Sequence, residues 1–137
     1  MSLSAANDAE PGASPRTALV IDDSPLICEV VRMALASAGW SVQTAASGTA
    51  GIQAARTARP DVILLDVVMP ELDGPQTLEQ LRADAATSSI PVIFATAQDR
   101  PEEREQLASL GAAGVIAKPF EMARLPEQVD RVLGASG

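Results

Sequence analysis

At 137 residues with a formal net charge of −8, the chain is the size of one domain, and it carries no dense Lys/Arg cluster that would suit a nucleic-acid groove or an anionic membrane. It contains no histidine, which excludes Ser/His and Cys/His catalysis, His-ligated metals and a phosphohistidine of its own. A single cysteine, Cys28, excludes an internal disulfide, and no signal peptide or run of the ~20 apolar residues that span a bilayer is present, so a cytoplasmic location is expected.

Residues 1–16 are small, polar and Pro/Gly-containing, which predicts a flexible N-terminal tail, and residues 17–137 are expected to form one domain with no room for a separate output domain. From Thr17 onward, short apolar runs alternate with amphipathic stretches. Ala18–Ile21, Val62–Leu65, Val92–Ala95 and Val115–Ala117 are rich in β-branched residues, as strands covered on both faces should be. Val42–Thr44 has polar neighbours and predicts an edge strand.

The helices between them carry their own punctuation. Ser24-Pro25 opens the first, whose apolar residues recur from Ile27 to Ala38 before Gly39. Ser47 opens a second, ending before Pro60, and Gly74-Pro75 a third, with Leu78 and Leu81 inward. Asp99 with Glu102 predicts a D-x-x-E cap on a fourth carrying Leu107 and Leu110 and closed by Gly111. Leu125, Val129, Val132 and Leu133 mark a fifth, its regular part expected after Pro126.

Five strands interleaved with five helices predict an α/β fold, a doubly wound, five-stranded parallel sheet with helices on both faces. Ligands of such sheets sit at the carboxyl ends of the strands. Asp22-Asp23, Asp66, Thr96 and Lys118 each follow directly on an apolar run, so all are expected at that edge. Three carboxylates held together repel one another, and an oxygen-only donor set points to Mg²⁺ as their neutralising cation. A carboxylate can attack a phosphoryl group, provided cations and hydrogen-bond donors offset the charge that develops. Lys118 and Thr96 are the candidates for that work. Taken singly, Asp22 or Asp23 could be a helix cap, Thr96 a strand-end residue and Lys118 a solvated lysine; their joint occurrence is what carries the reading.

VIDDSP at 20–25, DVILLDVVMPELDG at 61–74, IPVIFATA at 90–97 and GAAGVIAKPF at 111–120 together resemble a response-regulator receiver domain of two-component signalling. The resemblance covers the chain beyond the tail, in the family's order and spacing. It implies a flavodoxin-like strand order of 2-1-3-4-5. It implies that Asp66 accepts phosphate from a histidine kinase or histidine phosphotransfer protein. Asp23 and Asp66 would bind Mg²⁺, with the backbone carbonyl of Val68 as a third ligand and Asp22 acting largely through water. Lys118 and Thr96 would contact the phosphoryl oxygens, and the Lys118-Pro119 bond would be cis.

The sequence departs from the family where an aromatic residue often stands three positions before the lysine, because Val115 is there and the chain has no tyrosine. A muted rearrangement around Val115 is therefore expected. Val68 and Gln98 occupy positions that tune dephosphorylation in the family; valine cannot orient a water, which predicts slow self-dephosphorylation. The leading expectation is a stand-alone receiver, not an enzyme in its own right, that acts by phosphorylation-dependent binding to a downstream protein. The face of the fourth helix, fifth strand and fifth helix is the family's usual dimer surface. A phosphate sink or phosphorelay intermediate is the alternative. The charged residues of the fourth helix, Glu102, Glu103 and Glu105 among them, read as a solvated face.

Overall fold

The computed structural model describes residues 16–98 and 100–136. In chain order the elements are β1 (Thr17–Ile21), α1 (Pro25–Ala36), β2 (Ser41–Ala45), α2 (Gly48–Ala58), β3 (Val62–Asp66), α3 (Gly74–Ala83), β4 (Val92–Thr96), α4 (Pro101–Ser109), β5 (Gly114–Ala117) and α5 (Leu125–Ser136). The five strands form one parallel sheet in the order β2-β1-β3-β4-β5, as expected, with β2 and β5 at the edges.

Alternation along the strands divides the core in two. Leu19, Ile21, Ile63, Leu65 and Phe94 point to the face covered by α2, α3 and α4. Ala18, Val20, Leu64, Ile93 and Ile116 point to the other, where Val31 and Leu35 of α1 meet Leu125 and Val129 of α5. Because both faces are covered, β3 and β4 are buried along their whole length, whereas β2 is buried only at Ala45.

Local chemistry explains the helix starts. Ser24 and Ser47 cap α1 and α2, accepting from the amides of Ile27 and Ala50. Asp73 caps α3 in a reciprocal box: its carboxylate accepts from the Gln76 amide at 2.9 Å, and the Gln76 side chain accepts from the Asp73 amide at 3.0 Å. Four boundaries differ from the sequence expectation. α1 stops at Ala36, where the Ser37 hydroxyl turns back to the Ala34 carbonyl, leaving Ala38 outside. α4 begins at Pro101 behind Arg100, whose side chain makes no capping bond; Asp99 itself lies outside the described residues. Leu110 falls beyond the end of α4 and is exposed. Pro126 lies inside the first turn of α5, where a missing N–H costs nothing.

The tail lies almost wholly outside the described residues. Arg16, at its end, belongs to the folded body: its guanidinium stacks 4.1 Å from the Trp40 ring centroid and pairs with Asp130 at 2.8 Å.

Candidate functional site

The polar residues expected at the sheet edge are brought together there. Asp66 is the last residue of β3 and Thr96 the last of β4, while Asp22 and Lys118 directly follow β1 and β5. Register ties them: Thr96 pairs with Ala117, the Lys118 amide donates to the Thr96 carbonyl at 2.8 Å, and the Asp22 amide donates to the Ala45 carbonyl at 3.1 Å. Gly74 packs so closely beneath this edge that a Cβ there would lie 2.5 Å from the Asp66 carbonyl oxygen and 2.8 Å from Val67 Cα. Only glycine lets α3 start so near the strand end. The Lys118-Pro119 bond is cis.

Lys118 Nζ donates to Asp66 Oδ1 at 2.9 Å and to Asp22 Oδ2 at 3.0 Å. Asp22 and Asp66 are buried and Asp23 is exposed, yet one oxygen from each of the three carboxylates lies within 4.8 Å of the others. Asp22 is further fixed by the Ser24 amide, which donates to its Oδ1 at 2.9 Å. Burial pushes the Asp66 carboxyl above its ordinary range; the Lys118 hydrogen bond opposes this, and the Asp22 charge adds to it. Burial also works against the Lys118 ammonium, but hydrogen bonds to Asp66 and Asp22 outweigh it and hold its pKa above the usual value. The asymmetry follows from sharing: the lysine has two carboxylates, whereas the two carboxylates divide one lysine.

One lysine against three carboxylates leaves the cluster negative. Its donors are hard oxygens, and one of the three residues is open to solvent, a combination that suits a cation keeping part of its hydration shell, such as Mg²⁺. Cys28 is no competing ligand: burial first, and then the Asp22 charge, raise its thiol pKa, and its Sγ donates to the Asp22 carbonyl at 3.3 Å.

Beside the carboxylates opens a cleft of about 260 Å³, lined by Asp66, Val67, Val68, Thr96, Ala97, Gln98, Glu103 and Lys118. The Thr96 hydroxyl is engaged with its own loop, donating to the Gln98 carbonyl at 3.3 Å and accepting from the Gln98 amide at 3.0 Å. The Val68 backbone works weakly to lower the Asp66 carboxyl pKa, and Val68 itself is 78% exposed. Val115 is half-buried against the core beneath α4, and its carbonyl accepts from Arg104 Nη1 at 3.2 Å. Glu103, expected on a solvated face of the fourth helix, instead lines this cleft. It stands in a run of charges with no apolar period, and nothing local marks which member turns inward.

Residues 18–130 match the model of the response regulator receiver domain. The chain belongs to that family. It is 37% identical over 115 residues to the protein PilH of Pseudomonas aeruginosa, covering 84% of this chain and 95% of PilH. It is 36% identical over 115 residues to the DNA-binding dual master transcriptional regulator RpaA of Synechocystis, covering 84% of this chain and 48% of RpaA. The receiver thus spans about half the length of several curated relatives that it matches. Its fold superposes on the chemotaxis protein CheY4 of Vibrio cholerae with a TM-score of 0.81 and 33% identity, covering 87% of this chain and 99% of CheY4. Receiver domains take phosphoryl groups from histidine kinases or phosphotransfer proteins and bind Mg²⁺ at an acidic pocket. Among the described residues no helix is long and apolar enough to cross a membrane.

Proposed function

We propose that this receiver accepts a phosphoryl group on Asp66 from a phosphohistidine donor and signals by phosphorylation-dependent binding to a downstream protein in the cytoplasm. The observation that carries the reading is the buried Asp66 carboxylate, bonded to Lys118 and opening onto a cleft walled by Thr96. An Asp66 oxygen attacks phosphorus as the P–N bond of the donor breaks; the donor's imidazole keeps that electron pair and takes a proton from solvent. Lys118 stands where a transferred oxygen would need a cation. Thr96 can exchange its 3.3 Å bond to the Gln98 carbonyl for a bond to the phosphoryl group. Asp22, Asp23, Asp66 and the Val68 carbonyl would hold Mg²⁺, which when bound offsets the charge spread over the phosphoryl oxygens.

No side-chain donor at Val68 aims a water at the acyl phosphate, and Gln98 is the one polar side chain at the two tuning positions, which supports slow self-dephosphorylation. A face for partner or self-association is proposed over α4, β5 and α5.

The test is intact mass after incubation with Mg²⁺ and a small phosphodonor, followed over time. Wild type should gain one phosphoryl group and hold it for minutes or longer; Asp66→Asn should gain none. A gain that persists in the mutant overturns the assignment of Asp66, and loss within seconds overturns the slow lifetime. Back-transfer to the donor that outpaces binding of any partner would favour the phosphate-sink reading.

A further inference from the structure

Glu103 is out of keeping with the site around it. The cleft must receive a group carrying roughly −1.5 to −2 charges, yet one of its walls is a carboxylate. Two acidic residues occupy the first turn of α4, Glu102 and Glu103. Both are placed to favour the helix dipole, which is the ordinary reason for glutamate there. They differ in direction: Glu102 is exposed, whereas Glu103 is partly covered and lines the cleft with Asp66 and Lys118.

The helix that bears Glu103 is lightly held. Of the nine residues of α4, Leu107 alone is buried, and Arg100 gives the first turn no side-chain cap. The next residue, Arg104, reaches across to β5 and donates to the Val115 carbonyl at 3.2 Å. Adjacent residues of one turn therefore face the phosphoacceptor cleft and grip the neighbouring strand.

We propose that Glu103 is a further functional residue of this site: its carboxylate opposes the charge arriving on Asp66, and the repulsion displaces the first turn of α4, drawing Arg104 off the Val115 carbonyl. The inference rests on Asp66 being the phosphoacceptor. It gives the chain a route from cleft to α4 that needs no aromatic ring at position 115. It also gives Glu103 a cost, because the same charge lowers the occupancy of the phosphorylated state.

The test uses beryllofluoride with Mg²⁺ as a phosphoryl mimic, on wild type, E103Q and E102Q. Affinity should rise about five- to tenfold in E103Q and stay within twofold of wild type in E102Q. On binding, amide hydrogen exchange in residues 102–105 should quicken in wild type and change little in E103Q. An equal rise in both variants would assign the effect to net charge or the helix dipole and overturn the proposal. Unchanged affinity in E103Q, or the same exchange response in E103Q as in wild type, would overturn it too. Failure of wild type to bind beryllofluoride would instead remove the phosphoacceptor reading beneath it.

Discussion

α3 and α4 lie on the same face of the sheet and flank the same strand end, but they are held in different ways. α3 buries Gly74, Thr77, Leu78 and Leu81, is closed by a two-way cap at Asp73 and Gln76, and begins in contact with the Asp66 backbone. α4 buries Leu107, and its N-cap residue Arg100 makes no side-chain capping bond. The carboxylate that must stay put is thus buttressed by the tightly packed helix, and the cleft's far wall is made from the loose one. On the proposed function the site must both fix a nucleophile and report on its charge, which needs both kinds of support, because regions that move in signalling come from the weakly held end of the stability range.

The largest expected effect follows from that contrast. Leu81→Ala removes a fully buried side chain from a helix that cannot settle, and should cost about 3–4 kcal/mol in urea unfolding. Leu107→Ala should cost about 2 kcal/mol, near the bottom of the same range, because α4 can close on the cavity. Equal costs would show that α4 is as firmly seated as α3.

A second contrast is one of sign. Burial raises the Asp66 pKa in the folded protein, so between the ordinary carboxylate value, about 3.9, and the raised one the folded state binds more protons than the unfolded state. Stability from this group is then complete below that window and is lost as pH rises through it. In chelator, Asp66→Asn should therefore be more stable than wild type at neutral pH, with the difference closing as pH falls below the ordinary carboxylate range. Asp84, at the end of α3, behaves oppositely: the Ala86 amide first, and then Arg56, hold its carboxyl low. Its contribution is present at neutral pH and lost on acidification, so Asp84→Asn should weaken the fold at pH 7 and not at pH 2. Matching pH profiles for the two variants would break the distinction between a carboxylate kept for function and one kept for structure.

Much of this was legible in the sequence, for a physical reason. A strand covered on both faces has to be apolar throughout, so the first polar residue after each run marks its end; Asp22, Asp66, Thr96 and Lys118 were found in that way. Gly74-Pro75 announced the start of α3, but not how closely that start approaches the Asp66 backbone. What stayed hidden depends on rotation about an axis that no apolar stripe fixes. With a single buried residue, α4 offers no periodicity to say that Glu103 turns inward and Glu102 outward. Arg16 looked like tail because its partners, Trp40 and Asp130, are remote in sequence. Arg59, which closes α2 in the left-handed region at φ 46°, replaces the glycine that usually signals such an end.

The smallest effect addresses the caps. Asp73→Ala should cost about 1 kcal/mol, since it leaves the Gln76 amide without its acceptor. Arg100 contributes no such bond, so Arg100→Ser places an acceptor at the N-cap position and should gain up to about 1 kcal/mol. The gain matters more for where it falls than for its size. It is confined to the first turn, so hydrogen exchange should slow in residues 102–104 while α3 is unaffected. If a serine there stiffens the turn, displacement of α4 becomes costlier, and the mimic-bound protein should show less exchange in that turn than wild type does. An unchanged exchange pattern in Arg100→Ser would mean that the turn is already held by contacts other than a cap. The comparison between the two helices would then have to rest on Leu107 alone.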